Sequence, residues 1–196
     1  MARLLIVFCK NPQLGKVKTR LAKTLGDETA LAVYLKLVNH TQQVVRDVNA
    51  DVAIYYSDYI DTEDHWEKKY IKKLQQGTDL GERMYCAVSE GLGMGYQSVC
   101  LIGTDIFELT SEIVEQAFQS LEKSDVVIGP ARDGGYYLIG MKRADARVFE
   151  VSQWSTATVL KETLRNVKQQ KLSYSLLKEL NDIDDEQDLR GTDLWR

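Results

Sequence analysis

Residues 4–23, LLIVFCKNPQLGKVKTRLAK, join a short apolar run to a loop that is rich in cations. The apolar run, residues 4–9, is continuous rather than alternating, which is typical of a parallel strand buried on both faces. A Lys-Asn-Pro turn closes the run. We therefore predict that the chain begins with a buried strand whose carboxyl end carries the basic loop.

The remainder of the chain alternates between predicted strands and predicted helices. Strands are predicted at 51–56, 98–102, 125–129 and 136–141, with an exposed or edge strand at 172–176. Helices are predicted to open at Gly26-Asp27, over 62–70, over 79–92 with Asp79 as the cap, from Thr110 or Ser111 to about 121, and over 155–170. Strands separated by helices require crossover connections and hence a mainly parallel, twisted sheet. The predicted fold class is α/β, with one domain over residues 1–196 and helices flanking the sheet.

Composition excludes several classes of protein. The chain has 196 residues and a net charge of −4, and a nucleic-acid-binding domain would normally be basic. Residues 4–9 are the longest purely apolar run, too short for a membrane span or a secretory signal. The three cysteines, Cys9, Cys86 and Cys100, cannot all pair and form no C-x-x-C motif. We interpret them as buried thiols and expect a cytoplasmic location.

The basic loop is the first candidate for function, because ligands of such sheets bind beyond the carboxyl ends of the strands. Between Lys10 and Lys23 there are five basic residues and no acid. The segment could form a cradle for a pyrophosphate, and the alternative is a solvated basic turn. It is not a P-loop, because Lys10 stands where that motif has its first glycine and Val17 follows Lys16.

Two acidic segments are candidates for a divalent metal site. Asp105 follows the predicted strand 98–102, and a carboxylate at that edge is a natural ligand for Mg²⁺. Asp182 and Asp184 could complete the site with Asp105. The alternatives are a turn or cap at Asp105 and a helix start within 181–188. The acids better placed for that helix start are Asp185, Glu186 and Asp188.

A further candidate is the turn Asp133-Gly134-Gly135 between two predicted strands. The glycines allow close approach to a substrate, and Asp133 could act as a general base or touch metal. An ordinary Asp-Gly hairpin turn explains the same residues equally well. His40 and His65 show no ligand-like spacing, and Ser155 is expected to cap a helix.

The chain opens with the pattern Phe8-x-Lys10-x-Pro12-x-x-Gly15-x-Val17-Lys18-Thr19-Arg20-Leu21. Later motifs are Asp79-Leu-Gly-Glu-Arg83-Met, Gly103-Thr-Asp105, Gly129-Pro-x-x-Asp133-Gly-Gly-Tyr-Tyr-Leu-Ile-Gly140, Trp154-Ser-Thr156 and Asp182-Ile-Asp184. Together these motifs resemble a bacterial family of GT-A-fold transferases, commonly described as glycosyltransferases associated with arsenosugar biosynthesis or with radical-SAM/selenodomain gene clusters. The resemblance spans nearly the whole chain in order.

The resemblance implies a nucleotide-diphospho-sugar transferase fold, and it implies a role for each matching residue. The donor nucleotide would contact Phe8, Lys10, Pro12, Gly15, Lys16, Lys18, Thr19, Arg20, Asp79, Gly81 and Arg83. The metal would be held by Asp105, Asp184 and Asp182, and the acceptor would face Gly134, Gly135, Tyr136 and Trp154. The expected catalytic groups are Asp133, Lys18 and Arg20.

The leading interpretation is a glycosyltransferase that moves a sugar from a nucleotide-sugar donor to a small acceptor with Mg²⁺ or Mn²⁺. One alternative is a nucleotidyltransferase that uses an NTP and releases pyrophosphate. Another is a non-catalytic nucleotide-binding protein, because Ile106-Phe107 replaces the Ser-Pro or Cys-Pro that the family usually has after Asp105. The sequence predicts no nucleic-acid partner and no membrane span, and it leaves the oligomeric state open.

Overall fold

The computed structural model describes residues 2–192 and 194, and seven strands within them form one sheet. The strands are β1 (Arg3–Cys9), β2 (Asp51–Tyr56), β3 (Ile71–Leu74), β4 (Ser98–Ile102), β5 (Val126–Pro130), β6 (Tyr136–Met141) and β7 (Tyr174–Leu176). Their order across the sheet is β3-β2-β1-β4-β6-β5-β7. Strand β6 runs antiparallel to β4 and β5, and the other neighbouring pairs are parallel. The predicted class, α/β with a mainly parallel sheet, is confirmed.

Helices cover both faces of the sheet. They are α1 (Thr19–Leu25), α2 (Asp27–Arg46), α3 (Leu80–Gly93), α4 (Ser111–Lys123), α5 (Val159–Gln169) and α6 (Glu186–Leu189), with a 3₁₀ helix at Ala146–Phe149. Leu5 and Val7 of β1 point to the face that packs against α2 and α4. Leu4 and Ile6 point to the face that packs against α3 and α5. Burial on both faces is why β1 is continuously apolar.

A third, smaller cluster packs the end of the chain against the helices that follow the basic loop. It includes Leu21 of α1, Leu37 of α2, Ile183 and Leu189, all of which are buried. Burial of each such side chain contributes roughly 1.5–3 kcal/mol, so the segment that carries Asp182 and Asp184 is held firmly. This packing places the acidic segment beside the basic loop.

Between β2 and α3, one sequence prediction is wrong and one strand was not predicted. Residues 62–70 form turns and bends rather than a helix. The Asp64 carboxylate accepts hydrogen bonds from the Trp66 amide, at 3.0 Å, and from the Tyr56 hydroxyl. Such local side-chain bonds compete with helix formation. The edge strand β3 was not predicted, because four residues with two lysines give little strand signal, although lysines are typical of exposed edges.

The start of α5 also differs from the prediction. Ser155 does not cap the helix: its φ is +62°, and the helix begins at Val159 with Thr158 at the cap position. The Thr156 hydroxyl instead donates to the Gln153 carbonyl at 3.1 Å, which closes a turn before the helix. Residues 153–158 are therefore a loop next to β6.

The three cysteines carry free thiols. Cys9 and Cys100 are buried, and Cys86 is half-buried. Burial raises the pKa of both buried thiols, that of Cys9 to about 11, so they stay protonated at neutral pH. None of the helices described above has both the length and the apolar composition that crossing a lipid bilayer requires.

Candidate active site

A cavity of about 560 Å³ opens at the carboxyl ends of β1 and β4. The basic loop after β1, the loop after β4 that carries Asp105 and the turn that carries Asp133 all contribute to its wall, and so does the acidic segment that carries Asp182 and Asp184. The predicted site residues that line it are Phe8, Lys10, Lys16, Lys18, Thr19, Arg20, Arg83, Asp105, Asp133, Gly135, Tyr136, Trp154, Asp182 and Asp184.

Five predicted residues lie outside this lining: Pro12, Gly15, Asp79, Gly81 and Gly134. Asp79 caps α3, and its carboxylate accepts a hydrogen bond from the Glu82 amide at 2.9 Å. Gly81 packs against the Trp154 indole and the Phe149 carbonyl, where a Cβ would come within 2.7 Å of both. These two residues therefore position α3 and Trp154 rather than touch the cavity.

Lys18 lies at the centre of the charged wall. Its side chain is only 4% exposed, and its Nζ is 2.6 Å from Asp105 Oδ1 and 3.6 Å from Asp184 Oδ1. Arg20 Nη1 reaches Asp184 Oδ2 at 3.1 Å. Lys16 is exposed at the rim and forms no ion pair within the described part of the chain. Cations from one loop thus meet carboxylates from two distant segments.

Buried hydrogen bonds hold the start of the basic loop. The Tyr34 hydroxyl of α2 donates to the Lys10 carbonyl at 2.7 Å. The buried Asn11 side chain donates to the Tyr59 carbonyl at 2.9 Å and accepts from the Asp58 and Tyr59 amides at 3.1 and 3.3 Å. These bonds join the loop after β1 to the loop after β2. Sequence reasoning missed both residues, although Asn11 between Lys10 and Pro12 marks a turn.

Hydrogen bonds that involve its backbone amides hold the acidic segment, residues 181–188, in place. The Ile183 amide donates to the Asp105 carbonyl at 3.0 Å, which ties the segment to the loop after β4. The Asp188 carboxylate accepts from the Asn181 side chain at 3.0 Å and from the Asp184 and Asp185 amides at 2.9 Å. Burial alone would raise the pKa of Asp188, but these three hydrogen bonds outweigh it and hold the pKa below its usual range.

The carboxyl group of Asp182 lines the cavity and has a shifted pKa. Burial, followed by the charges of Asp133 and Asp184, raises its pKa to about 6, against a smaller opposite effect of Lys18. Asp133 itself accepts a hydrogen bond from the Gly135 amide at 2.7 Å, which fixes it in the hairpin turn. The structure therefore confirms the hairpin turn and places the Asp133 carboxylate in the cavity wall, and its role as a general base or metal contact stays a prediction.

The predicted metal ligands carry the hard oxygen donors that Mg²⁺ and Mn²⁺ prefer. Within residues 2–192 and 194, however, no three His, Cys, Asp or Glu side chains are grouped as ligands of one ion. The Lys18 ammonium lies close to both Asp105 and Asp184 and offsets part of their negative charge. The donor chemistry fits a divalent ion, and the structure shows an ammonium beside two of these carboxylates.

One end of the cavity is lined by residues around β3 and α3, namely Ser57, Gln75, Leu80, Arg83 and Met84, beside Phe8. The Gln75 side-chain amide donates to the Tyr55 carbonyl at 3.0 Å, and Arg83 Nε donates to the Gly77 carbonyl at 3.2 Å. Sequence reasoning missed Ser57 and Gln75. Gln75 directly follows β3, the strand that the sequence did not reveal.

The hairpin turn and the loop before α5 line the adjoining part of the cavity, next to Met84 and Gly81 of α3. Tyr136 and Trp154 contact edge to face, with ring centroids 6.4 Å apart and planes at 83°. Gly134, at a φ of +88°, packs against the backbone of Ala157, and its carbonyl accepts from the Leu160 amide at 2.9 Å. A residue without a Cβ is required at this contact.

The departure at Ile106-Phe107 serves the core. Ile106 is buried beneath the cavity. Phe107 packs against His40, with ring centroids 5.0 Å apart, and His40 bonds the Leu109 carbonyl at 2.9 Å. Asp105 keeps its place in the cavity wall.

Comparison with known proteins identifies the family. The family model DUF2064, described as an uncharacterized protein conserved in bacteria, matches residues 39–156. The chain belongs to this family. A crystal structure from Desulfovibrio desulfuricans G20, of a protein given the provisional name nucleotide-diphospho-sugar transferase, shares 34% identity with this member. The match covers 94% of this chain and 84% of the other, with a TM-score of 0.87.

More distant solved structures share the fold of this DUF2064 member. One is CMP:2-keto-3-deoxy-manno-octonic acid synthetase complexed with CTP, at 10% identity and a TM-score of 0.58 over 97% of this chain and 96% of the other. Another is Rv0371C from Mycobacterium tuberculosis H37Rv in complex with manganese, at 10% identity and a TM-score of 0.54 over 97% of each chain. No curated protein matches the sequence.

Proposed function

We propose that this protein is a glycosyltransferase that binds a nucleotide-sugar in the cavity and moves its sugar to a small acceptor. The observation that carries the proposal is the meeting of Lys18 and Arg20 with Asp105 and Asp184 at the carboxyl ends of β1 and β4. The provisional name of the 34% identical structure supports the same reaction class. The narrower resemblance to the arsenosugar-biosynthesis or radical-SAM-associated type remains a prediction.

The basic wall suits the leaving group of such a reaction. Departure of a nucleoside diphosphate builds negative charge on a phosphate oxygen, and fixed cations that meet this charge lower the barrier. Lys16, Lys18 and Arg20 line the cavity where those phosphates would lie. Lysine supplies a compact charge and arginine a two-pronged donor for phosphate oxygens.

A divalent ion bound by Asp105, Asp184 and Asp182 would add Lewis-acid stabilisation of the same leaving group. The manganese complex of a protein with this fold supports the choice of Mg²⁺ or Mn²⁺. We propose this ion as the cofactor.

The acceptor would lie between Asp133 and the aromatic pair Tyr136 and Trp154, which line the same cavity. Asp133 is fixed by the Gly135 amide and would take the proton of the acceptor hydroxyl. The two rings give the acceptor an apolar surface. We propose a small-molecule acceptor on these grounds.

Turnover of donors tests the proposal. UDP- and GDP-sugars are incubated with the protein and Mg²⁺, and release of the nucleoside diphosphate is measured for the wild type, Asp105→Asn and Asp184→Asn. We expect release to fall at least about 100-fold in both variants, because each change removes a charge at the reacting centre. Wild-type turnover in both variants would contradict the assignment.

A nucleotidyltransferase is the second candidate, and the CTP complex of a protein with this fold favours it. The same cations would then bind a triphosphate. Isothermal titration with CTP and GTP against the nucleotide-sugars, with and without Mg²⁺, separates the two. Preference for the intact triphosphate with release of pyrophosphate would replace the glycosyltransferase proposal. Nucleotide binding without any turnover would indicate the non-catalytic alternative.

We also propose a cytoplasmic location. Free thiols at Cys9, Cys86 and Cys100 suit a reducing compartment.

A further inference from the structure

Lys18 combines a strained backbone with a buried charge. Its φ of 47° and ψ of 45° put it in the left-handed region, which is unfavourable for a residue with a Cβ. Residues held in such conformations persist where the surroundings over-determine them. The side chain, 4% exposed, runs inward to a pair of carboxylates from different segments. The backbone thus adopts an unfavourable conformation that delivers the ammonium to one point.

The ammonium occupies the gap that a metal ion would need. With Nζ 2.6 Å from Asp105 Oδ1 and 3.6 Å from Asp184 Oδ1, it lies between two of the three predicted ligands. A second cation cannot enter at contact distance from the first without strong repulsion. A tethered ammonium also competes at a high effective concentration, because its carbon chain keeps it close to the carboxylates.

Phosphate groups offer the ammonium another partner. Lys18 lines the same cavity as Lys16, Thr19 and Arg20, so a bound diphosphate would lie within reach of its Nζ. Lysine has a flexible four-carbon stem, and a shift toward the phosphates would uncover Asp105 and Asp184. The released carboxylates and the phosphate oxygens together are the ligand set that Mg²⁺ and Mn²⁺ prefer.

We propose that Lys18 is an internal cation that blocks the metal site of the free protein and yields it when a nucleotide diphosphate binds. The metal therefore binds weakly alone and tightly with the nucleotide. This inference rests on the proposed function for its ligand, the nucleotide, but the blocking of the carboxylate pair by Lys18 is independent of it. Binding would then follow a fixed order, with the nucleotide before the metal.

The first experiment uses Mn²⁺ alone. Free Mn²⁺ is measured by electron paramagnetic resonance during titration of the wild type, Lys18→Met and Lys16→Met. We expect Lys18→Met to bind Mn²⁺ at least about tenfold more tightly than the wild type. Lys16→Met removes the same charge from the same cavity without touching the carboxylate pair, and it should bind Mn²⁺ like the wild type.

A second variant covers the case in which Lys18→Met does not fold. Lys18→Gly removes the ammonium and suits the left-handed backbone, so it should fold and show the same gain in Mn²⁺ affinity. Equal Mn²⁺ affinity in the wild type and in the folded Lys18 variant would overturn the proposal. A gain of equal size in Lys16→Met would also overturn it, because the effect would then be one of net charge.

The second experiment measures coupling. Mn²⁺ affinity is determined with and without GDP or CDP, after correction for Mn²⁺ bound by the free nucleotide. We expect the diphosphate to raise Mn²⁺ affinity in the wild type. The factor by which it does so should be about tenfold smaller in Lys18→Met. Undiminished coupling in the variant would contradict a role for Lys18.

The outcomes also separate this inference from the proposed function. If neither diphosphate binds while Lys18→Met still gains Mn²⁺ affinity, the proposed function fails and the blocked carboxylate pair stands. If donors turn over but the Lys18 variant gains nothing, the proposed function stands and the inference fails.

Discussion

Gly134 shows how one position without a side chain keeps the cavity wall in place. It combines a φ of +88° with direct contact to the backbone of Ala157, so the hairpin turn and the loop before α5 meet there. The Asp-Gly-Gly letters predicted the turn. They could not predict the Ala157 contact, because it joins segments that only the tertiary fold brings together.

Gly134→Ala should destabilise the protein by about 1–3 kcal/mol, since alanine is strained at that φ and its Cβ would overlap the Ala157 backbone. Urea unfolding measures the change. Gly93→Ala is the matched control: a Cβ at Gly93 meets nothing within 4 Å, and its φ is not in the left-handed region, so its stability should change little. Similar losses in the two variants would refute the role given to the Ala157 contact.

At the scale of elements, the short helix α6 anchors the acidic segment. Asp185 caps it, and Asp185 and Asp188 form a capping box. The sequence allowed these acids to be metal ligands or to start a helix. In the structure, different acids of the segment occupy the helix start and the cavity wall. Asp185, Glu186 and Asp188 form the helix start, while Asp182 and Asp184 face the cavity. The metal role of the latter two remains a prediction.

Asp188→Asn should lower stability by about 1 kcal/mol at pH 7, because the carboxylate accepts three hydrogen bonds. The pKa of Asp188 is lowered in the folded state. Its contribution is therefore complete above the ordinary aspartate pKa, near pH 4, and is lost as the pH falls through the folded value. The difference between the urea midpoints of the wild type and Asp188→Asn should therefore be smaller at pH 3 than at pH 7.

Glu179→Gln is the control for this pH series. Glu179 is an exposed carboxylate near the same segment, and the described residues show no hydrogen bond to it. Its substitution should leave the urea midpoint nearly unchanged at both pH values. A gap between wild type and Asp188→Asn that stays constant from pH 7 to pH 3 would show that the carboxylate charge is not what stabilises the segment.

At the scale of the whole molecule, apolar runs in the sequence predicted most strands of the sheet. Strands β2, β4 and β6 begin and end at the predicted residues, because each contains an apolar or aromatic run that polar turns flank. Strand β3 escaped because its signal is spread over four residues and comes from pairing with β2. Residues 62–70 were misassigned because their turn depends on contacts of Asp64 with Tyr56 and Lys72.

The candidate site likewise has residues that the sequence predicted and residues that it missed. Loops directly after strands β1, β4 and β5 were predictable, because ligands of α/β sheets bind at those ends. The meeting of Lys18 with Asp105 follows from that rule, whereas Asp184 is brought there by the packing of Ile183 and Leu189. The sequence did not reveal site residues whose positions depend on an unpredicted strand or on hydrogen bonds between distant loops. These residues are Gln75, Ser57, Tyr34 and Asn11.

The most direct measurement for the central claim is the affinity of the protein for UDP, GDP and CDP by isothermal titration with Mn²⁺ present. At least one diphosphate should bind, and Arg20→Gln should weaken it about tenfold or more, since a charged donor is lost from the phosphates. Arg190→Gln, which removes an exposed arginine paired with Glu186, should bind like the wild type. Absence of binding by all three diphosphates, or equal affinities in wild type and Arg20→Gln, would contradict a phosphate site at the end of β1.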